Sequence, residues 1–182
     1  MPIYIALLRG INVGGNKPIK MDELRKSFEA LGLDQVATYI QSGNVVFKAS
    51  KVSSSSLSRK IEEKILGDFG HSVSVILRTA DEMKQTIANN PFLKDRGIDP
   101  TRLHVTFLSD APSSSALEKL EKMKMKPDRS CCLGKEIYLY LPNGTAQSTL
   151  MKTPLDRMLS VVTTTRNWNT VNQLLQMCVD RL

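Results

Sequence analysis

Residues 38–47 read TYIQSGNVVF, and the reading of this stretch decides the fold. Aromatic and β-branched residues lie on both sides of a polar tetrapeptide, QSGN at 41–44, which places a glycine and an asparagine where a tight turn needs them. The stretch reads as a hairpin of two short strands, residues 36–40 and 45–47. Outward from it, both flanks change period. Upstream, Met21, Leu24, Phe28 and Leu31 recur at helical spacing, and Gly32 stops the run. Downstream, a serine-rich linker at 53–56 leads to a second stripe, Leu57, Ile61, Ile65 and Phe69. Apolar segments at 3–8 and 73–77 close the set as strands. The order is β-α-β-β-α-β, the ferredoxin-like arrangement.

The rest of the chain nearly repeats it. A bridging helix opens at Thr79-Ala80-Asp81-Glu82, a capping-box pattern, and ends before Pro91. A strand follows at 103–108, then a helix opened by Ser115-Ala116-Leu117-Glu118 and running through Met125. Segments 131–133 and 137–141 pair across Gly134. Residues 150–159 read as helix with Pro154 in an early turn or kink, and 161–163 as a short strand. Trp168, Val171, Leu175, Cys178 and Leu182 mark a final amphipathic helix. The expected class is α+β: duplicated ferredoxin-like βαββαβ units packed together. The first spans residues 1–79, the bridging helix and linker span 80–100, and the second, with the C-terminal helix, spans 101–182. The strand at 3–8 is apolar on both faces, whereas helices cover one face of such a sheet, so its second face also needs a cover.

Bulk composition narrows the function classes. The 182 residues are 41% hydrophobic and 24% charged, the balance of a globular rather than a disordered chain. No apolar run approaches the roughly 18–20 residues that cross a bilayer. The opening MPIYIALLRG lacks the basic region and cleavage site of a signal peptide, so the expected location is cytoplasmic, with no membrane partner. Cys131, Cys132 and Cys178 lack a disulfide framework spacing, and His71 and His104 lack metal-ligand spacing; no metal site is expected. The formal net charge of +7 favours anionic partners in general.

The segment 7–18, LLRGINVGGNKP, is where an anion would sit. Gly10 and Gly15 have the separation of a Walker A loop, but Asn16 stands where its lysine belongs, and Lys17 and Pro18 do not complete it. The dinucleotide pattern G-x-G-x-x-G is absent. A looser reading remains: Gly10, Gly14 and Gly15 present backbone N–H groups, Arg9 and Lys17 bring charge, and Asn12 and Asn16 add amide donors. The plainer reading is a strand-to-helix connection that needs its glycines for conformation. Both are open. In the ferredoxin-like order the first and third strands are antiparallel neighbours, which brings this loop beside Gln41, Ser42, Gly43 and Asn44, residues that also make sense as a simple turn. A third polar cluster, TTTRNWNT at 163–170, opens the last helix. Thr165 or Asn167 caps it and Trp168 anchors the core. Arg166, a cation where the helix dipole disfavours one, pairs with a carboxylate or contacts an anion, with Asn167 beside it. Aromatics in IYIALL and EIYLYL half-match the strands of RNA-recognition motifs; buried sheet faces would make them core. No Ser/His/Asp or Cys/His constellation is readable.

The segments LLRGINVGGNKPIKMDEL, TYIQSGNVVF, NPF, LHVTFL and TTRNWNTV resemble the signature segments of the domain of unknown function 1697 family. The resemblance runs from near the first residue to the last helix. It implies a paired ferredoxin-like fold shared with mainly bacterial, uncharacterised proteins, and it implies no activity, cofactor or catalytic residue. Its motifs fall on Arg9, Gly10, Asn12, Gly14, Gly15, Ser42, Gly43, Asn44, Arg166, Asn167 and Trp168. The leading expectation is a binding module for an anionic, phosphate-bearing ligand, nucleic acid included, at loop 9–17 and turn 41–44. The alternative is an enzyme acting on a phosphorylated small molecule, with Lys17 or His104 as the acid–base group. A protein–protein module is the third reading. The sequence carries no mark of a cofactor, a catalytic residue or an oligomeric state.

Overall fold

Six consecutive apolar residues, Ile3–Leu8, form strand β1, which is buried along its whole length. In the computed structural model, which describes residues 1–123 and 125–181, the elements after it are helix α1 (Met21–Glu29), strands β2 (Asp34–Tyr39) and β3 (Asn44–Lys48), helix α2 (Ser54–Phe69) and strand β4 (Val75–Thr79). The four strands form one antiparallel sheet in the order β2-β3-β1-β4. Alternation along β1 sends Tyr4, Ala6 and Leu8 to one face, where they join Val45, Phe47, Leu24, Phe28, Ile61 and Ile65 in a single apolar cluster. Tyr4 stacks on Phe47 at 5.9 Å and Phe28 meets the same ring edge-on at 5.5 Å. The aromatic that half-matched an RNA-binding strand is therefore core. Ile3, Ile5 and Leu7, on the other face, are buried too.

Helix α3 (Ala80–Ala88) starts with the reciprocal capping box read from the sequence: the Thr79 amide donates to Glu82 Oε2 at 2.7 Å, and the Glu82 amide to Thr79 Oγ1 at 3.2 Å. Beyond it come strand β5 (Leu103–Leu108), helix α4 (Ser114–Glu121), strands β6 (Arg129–Leu133) and β7 (Glu136–Tyr140), helices α5 (Thr149–Lys152) and α6 (Leu155–Leu159), strand β8 (Thr163–Asn167) and helix α7 (Trp168–Val179). These strands make a second antiparallel sheet, ordered β6-β7-β5-β8. Leu108, Ile137 and Leu139 pack with Ala116, Leu120, Leu155 and Leu159 of the helices on one side of it. The fold is thus α+β with two four-stranded antiparallel sheets, and the chain divides into two compact units, Met1–Gln85 with Gln173–Leu182, and Thr86–Asn172.

Several boundaries differ from the sequence reading. The cap of α4 is Ser113, whose Oγ accepts from the Ala116 amide at 3.2 Å, two residues ahead of the expected start. Pro154 lacks the N–H that would continue α5, so 150–159 is two short helices rather than one. The last strand lies at Thr163–Asn167, not 161–163, and α7 follows with no loop between them. In α7, Trp168, Val171, Leu174 and Cys178 are buried and Leu175 is only partly so; Leu182 lies outside the described residues.

Candidate functional site

The connection from β1 to α1 is a folded loop rather than a tether. At its tip the Asn16 amide donates to the Val13 carbonyl at 2.9 Å. Gly14 and Gly15, at φ +56° and +78°, make the two positive-φ steps that such a reversal requires. Behind the tip, the Asn12 amide reaches the Lys17 carbonyl at 3.2 Å, so residues 12–17 close into a miniature hairpin. Val13 to Lys17 are exposed.

Asn12 joins this loop to the turn at 41–44. Its Oδ1 accepts from the Ile19 amide at 2.8 Å, while its Nδ2 donates to the carbonyls of Ile19 and Gln41, both at 2.9 Å. A second tie runs underneath, from the Leu8 amide to the Gly43 carbonyl at 2.8 Å. Gly43, at φ +81°, is buried in the contact: a Cβ there would lie 2.7 Å from Ile11 Cδ1 and 2.8 Å from Leu8 Cβ. Asn44 is fully buried, its Nδ2 donating to the Tyr39 carbonyl and to Ser42 Oγ, each at 3.0 Å. The two polar loops of the first unit therefore meet at one rim, held there by glycine packing and an asparagine pin.

The cations at the rim are Arg9 and Lys17. Arg9 is exposed, and its amide donates to the Ser74 carbonyl at 2.9 Å. The Lys17 ammonium rests on the Ser72 carbonyl at 2.5 Å, which draws the segment before β4 into the same rim. Ser72 had no mark in the sequence, because a backbone acceptor is supplied by any residue. A shallow groove of about 560 Å³ opens beside the pin, lined by Asn12, Ile19, Lys20, Gln41, Asp22 and Glu23 among others. The two carboxylates occupy the first turn of α1, where they complement the helix dipole and repel an anion. The glycine tip, with Arg9 and Lys17 of the same loop, lies apart from these carboxylates in the chain.

Asn167 and Arg166 belong to the second unit at the end of β8, and Arg166 directly precedes the residue that caps α7. Its side chain is buried, donating to Thr164 Oγ1 at 2.8 Å and the Thr165 carbonyl at 2.9 Å, and burial lowers its pKa to about 10. Asn167 caps α7, with Oδ1 accepting from the Thr170 amide at 2.8 Å. His104, in β5, has its pKa lowered, chiefly by burial, and its Nδ1 has no hydrogen-bond partner. Among the described residues no group of three or more His, Cys, Asp or Glu side chains is placed to hold a metal ion, and no helix is long and apolar enough to cross a membrane.

Comparison with known proteins agrees with the architecture and leaves the activity open. A solved structure described as that of conserved bacterial protein SP0830 from Streptococcus pneumoniae is similar at a TM-score of 0.77 and 27% identity, over 97% of this chain and 98% of that one. No curated protein matches. Residues 1–138, which include the whole rim, match the family described as Protein of unknown function (DUF1697), and the chain belongs to that family.

Proposed function

We propose that the protein is a binding module for a phosphate-bearing anion, seated on the rim of the first unit. The observation that carries this reading is the Asn12 pin, which joins the glycine loop to the 41–44 turn through the carbonyls of Ile19 and Gln41. A loop that merely connected a strand to a helix would need no tie to a second loop. On this reading the N–H groups of the exposed glycines Gly14 and Gly15 take the anion, Arg9 and Lys17 of the same loop supply charge, and the pin supplies the preorganisation that anion binding by backbone donors requires.

The duplicated ferredoxin-like plan supports the same reading by contrast. Both sheets have equivalent strand orders. The Leu8 amide bonds the Gly43 carbonyl at 2.8 Å as the Leu108 amide bonds the Lys135 carbonyl at 2.9 Å, and Arg9 reaches Ser74 as Ser109 reaches Val162, each at 2.9 Å. Arg78 pairs with Ile5 and Arg166 with Val105 at matching places in the two sheets. We read these correspondences as two copies of one unit. In the second copy the link from β5 to α4 is short, at 109–113, and the hairpin turn is the two residues Gly134 and Lys135. The elaborated loops belong to the first copy alone, as expected if binding and not folding called for them. Arg166 and Asn167 are no part of this rim proposal, since their polar groups serve β8 and the cap of α7.

The test is titration of the full chain with inorganic phosphate, a nucleotide and a short single-stranded RNA at several salt concentrations. For nucleic acid held by two cations, log K falls against log salt with a slope of about −1.4. Arg9→Glu weakens whichever ligand binds. Absence of binding to every phosphate-bearing probe, or binding that Arg9→Glu leaves unchanged, overturns the reading. An acid–base role for Lys17 or His104 has no support of this kind: the Lys17 ammonium is bonded to a backbone carbonyl, and His104 belongs to β5 of the second unit.

A further inference from the structure

The second unit carries a surface that has nothing to do with the rim. Strand β6 stands at the edge of its sheet, pairing with β7 alone. Leu133 and Glu136 close a two-residue hairpin with Gly134 at φ +60°, so they form a hydrogen-bonded pair, and the pairs alternate from there. Leu133, Cys131 and Arg129 turn their backbone groups toward β7. Ser130 and Cys132 turn theirs outward. The side chain of Cys132 packs with the helix-side cluster, and beside it opens a groove of about 900 Å³ whose apolar wall is Leu117, Leu120, Met123 and Met125.

An outward ladder beside an apolar groove accepts another strand. The first unit has a different edge. There the edge strand β2 breaks register between Asp34 and Ala37, Gln35 sits at φ +50°, and its carbonyl is occupied by Arg181 Nε at 3.2 Å. These are devices that keep an edge from pairing. Strand β6 has an unbroken register over its five residues, and Arg129 is drawn aside to Asp95 at 2.9 Å and over the Phe92 ring at 4.9 Å.

We propose that β6 pairs with β6 of a second copy of this chain, antiparallel about a two-fold axis, joining two four-stranded sheets into one of eight. The register follows from the outward groups: Ser130 of one copy opposite Cys132 of the other, Cys131 opposite Cys131, and Arg129 opposite Leu133. No like charges meet on this ladder, although the chain as a whole is +7. The groove rim carries both signs, Glu121 and Lys126, as a surface that meets itself requires. The two-fold brings the methionine-lined grooves together on one side of the sheet, and Leu133, an exposed large apolar residue at 43%, gains cover from the aliphatic stem of Arg129.

The experiment is sedimentation analysis of the full chain under reducing conditions across a concentration series. The wild type sediments at twice the chain mass. Ser130→Pro, which removes an outward N–H that no intramolecular ladder uses, and Leu133→Lys, which sets a lysine opposite Arg129, each raise the dimer dissociation constant about tenfold or more. Circular dichroism melting identifies any variant that has lost its fold. A short bis-maleimide joins two wild-type chains through Cys131, whose partner across a non-hydrogen-bonded pair has its Cα about 4.5 Å away, and fails on Cys131→Ser. A chain that stays monomeric throughout, a dimer indifferent to both folded variants, or a groove that takes up an added apolar peptide while the chain remains monomeric overturns the proposal.

Discussion

Asn12 shows how one side chain can decide where two loops lie. Its carboxamide meets the Ile19 amide and the carbonyls of Ile19 and Gln41, so Asn12→Ala deletes all three bonds. A loss of about 1–3 kcal/mol in urea-unfolding free energy is expected, together with weaker phosphate binding as the loops separate. Gly43 and Gly14 provide an internal comparison. Both have positive φ, but only at Gly43 would a Cβ collide, 2.7 Å from Ile11 Cδ1. Gly43→Ala therefore combines backbone strain with overpacking, a loss of about 2–5 kcal/mol, whereas Gly14→Ala bears strain alone, about 1–2 kcal/mol; thermal melts of the pair separate the two terms. The sequence singled out each of these residues, yet as ligand donors in the case of Asn12. The signal was composition and position. What it omitted was the acceptor, because the carbonyls of Gln41, Ile19 and Ser72 carry no trace in residue type.

Among the elements, legibility tracked side-chain periodicity. Strand β1 and helices α1 and α2 were readable because their apolar residues recur at spacings that only one secondary structure buries on a single face. Strand β8 was read too short because Thr163, Thr164 and Thr165 look polar. Their β-branched chains nevertheless favour extended backbone, and in the sheet the hydroxyls of Thr106 and Thr165 meet at 2.7 Å across neighbouring strands. The sequence places Arg166 at the start of the last helix, as the structure does, but residue type gives no sign that its side chain is buried in the sheet. The capping box of α3 was legible because both of its partners are side chains. Thr79→Ala is expected to cost about 1 kcal/mol of stability in denaturant titration. Strand β5 adds a pH dependence. Burial lowers the pKa of His104 in the folded chain below the unfolded value of about 6.5, so the unfolded state binds more protons between the two. The contribution of neutral His104 is complete above about pH 6.5 and is lost as pH falls toward the folded pKa. Stability measured between pH 7 and 5 falls less steeply in His104→Gln than in the wild type.

At the scale of the whole molecule, two sheets of equivalent strand order differ at their loops. The connections after β1 and between β2 and β3 are long in the first unit, whereas those after β5 and between β6 and β7 are short in the second, where β6 is an unbroken edge. The recurring order of strands and helices was legible because strand order follows from element order once crossovers are restricted; which unit carries the joined loops was visible only as glycine and asparagine content. A net charge of +7 draws anions toward the molecule from any side, so bulk affinity alone does not locate them. The direct measurement is an amide NMR titration of the full chain with inorganic phosphate. Binding at the glycine rim predicts saturable shifts at Gly10, Gly14 and Gly15 that disappear in Arg9→Glu, with His104 and its strand unmoved. Shifts spread evenly over lysine-rich surfaces, or concentrated elsewhere while the glycine amides stay still, would contradict it.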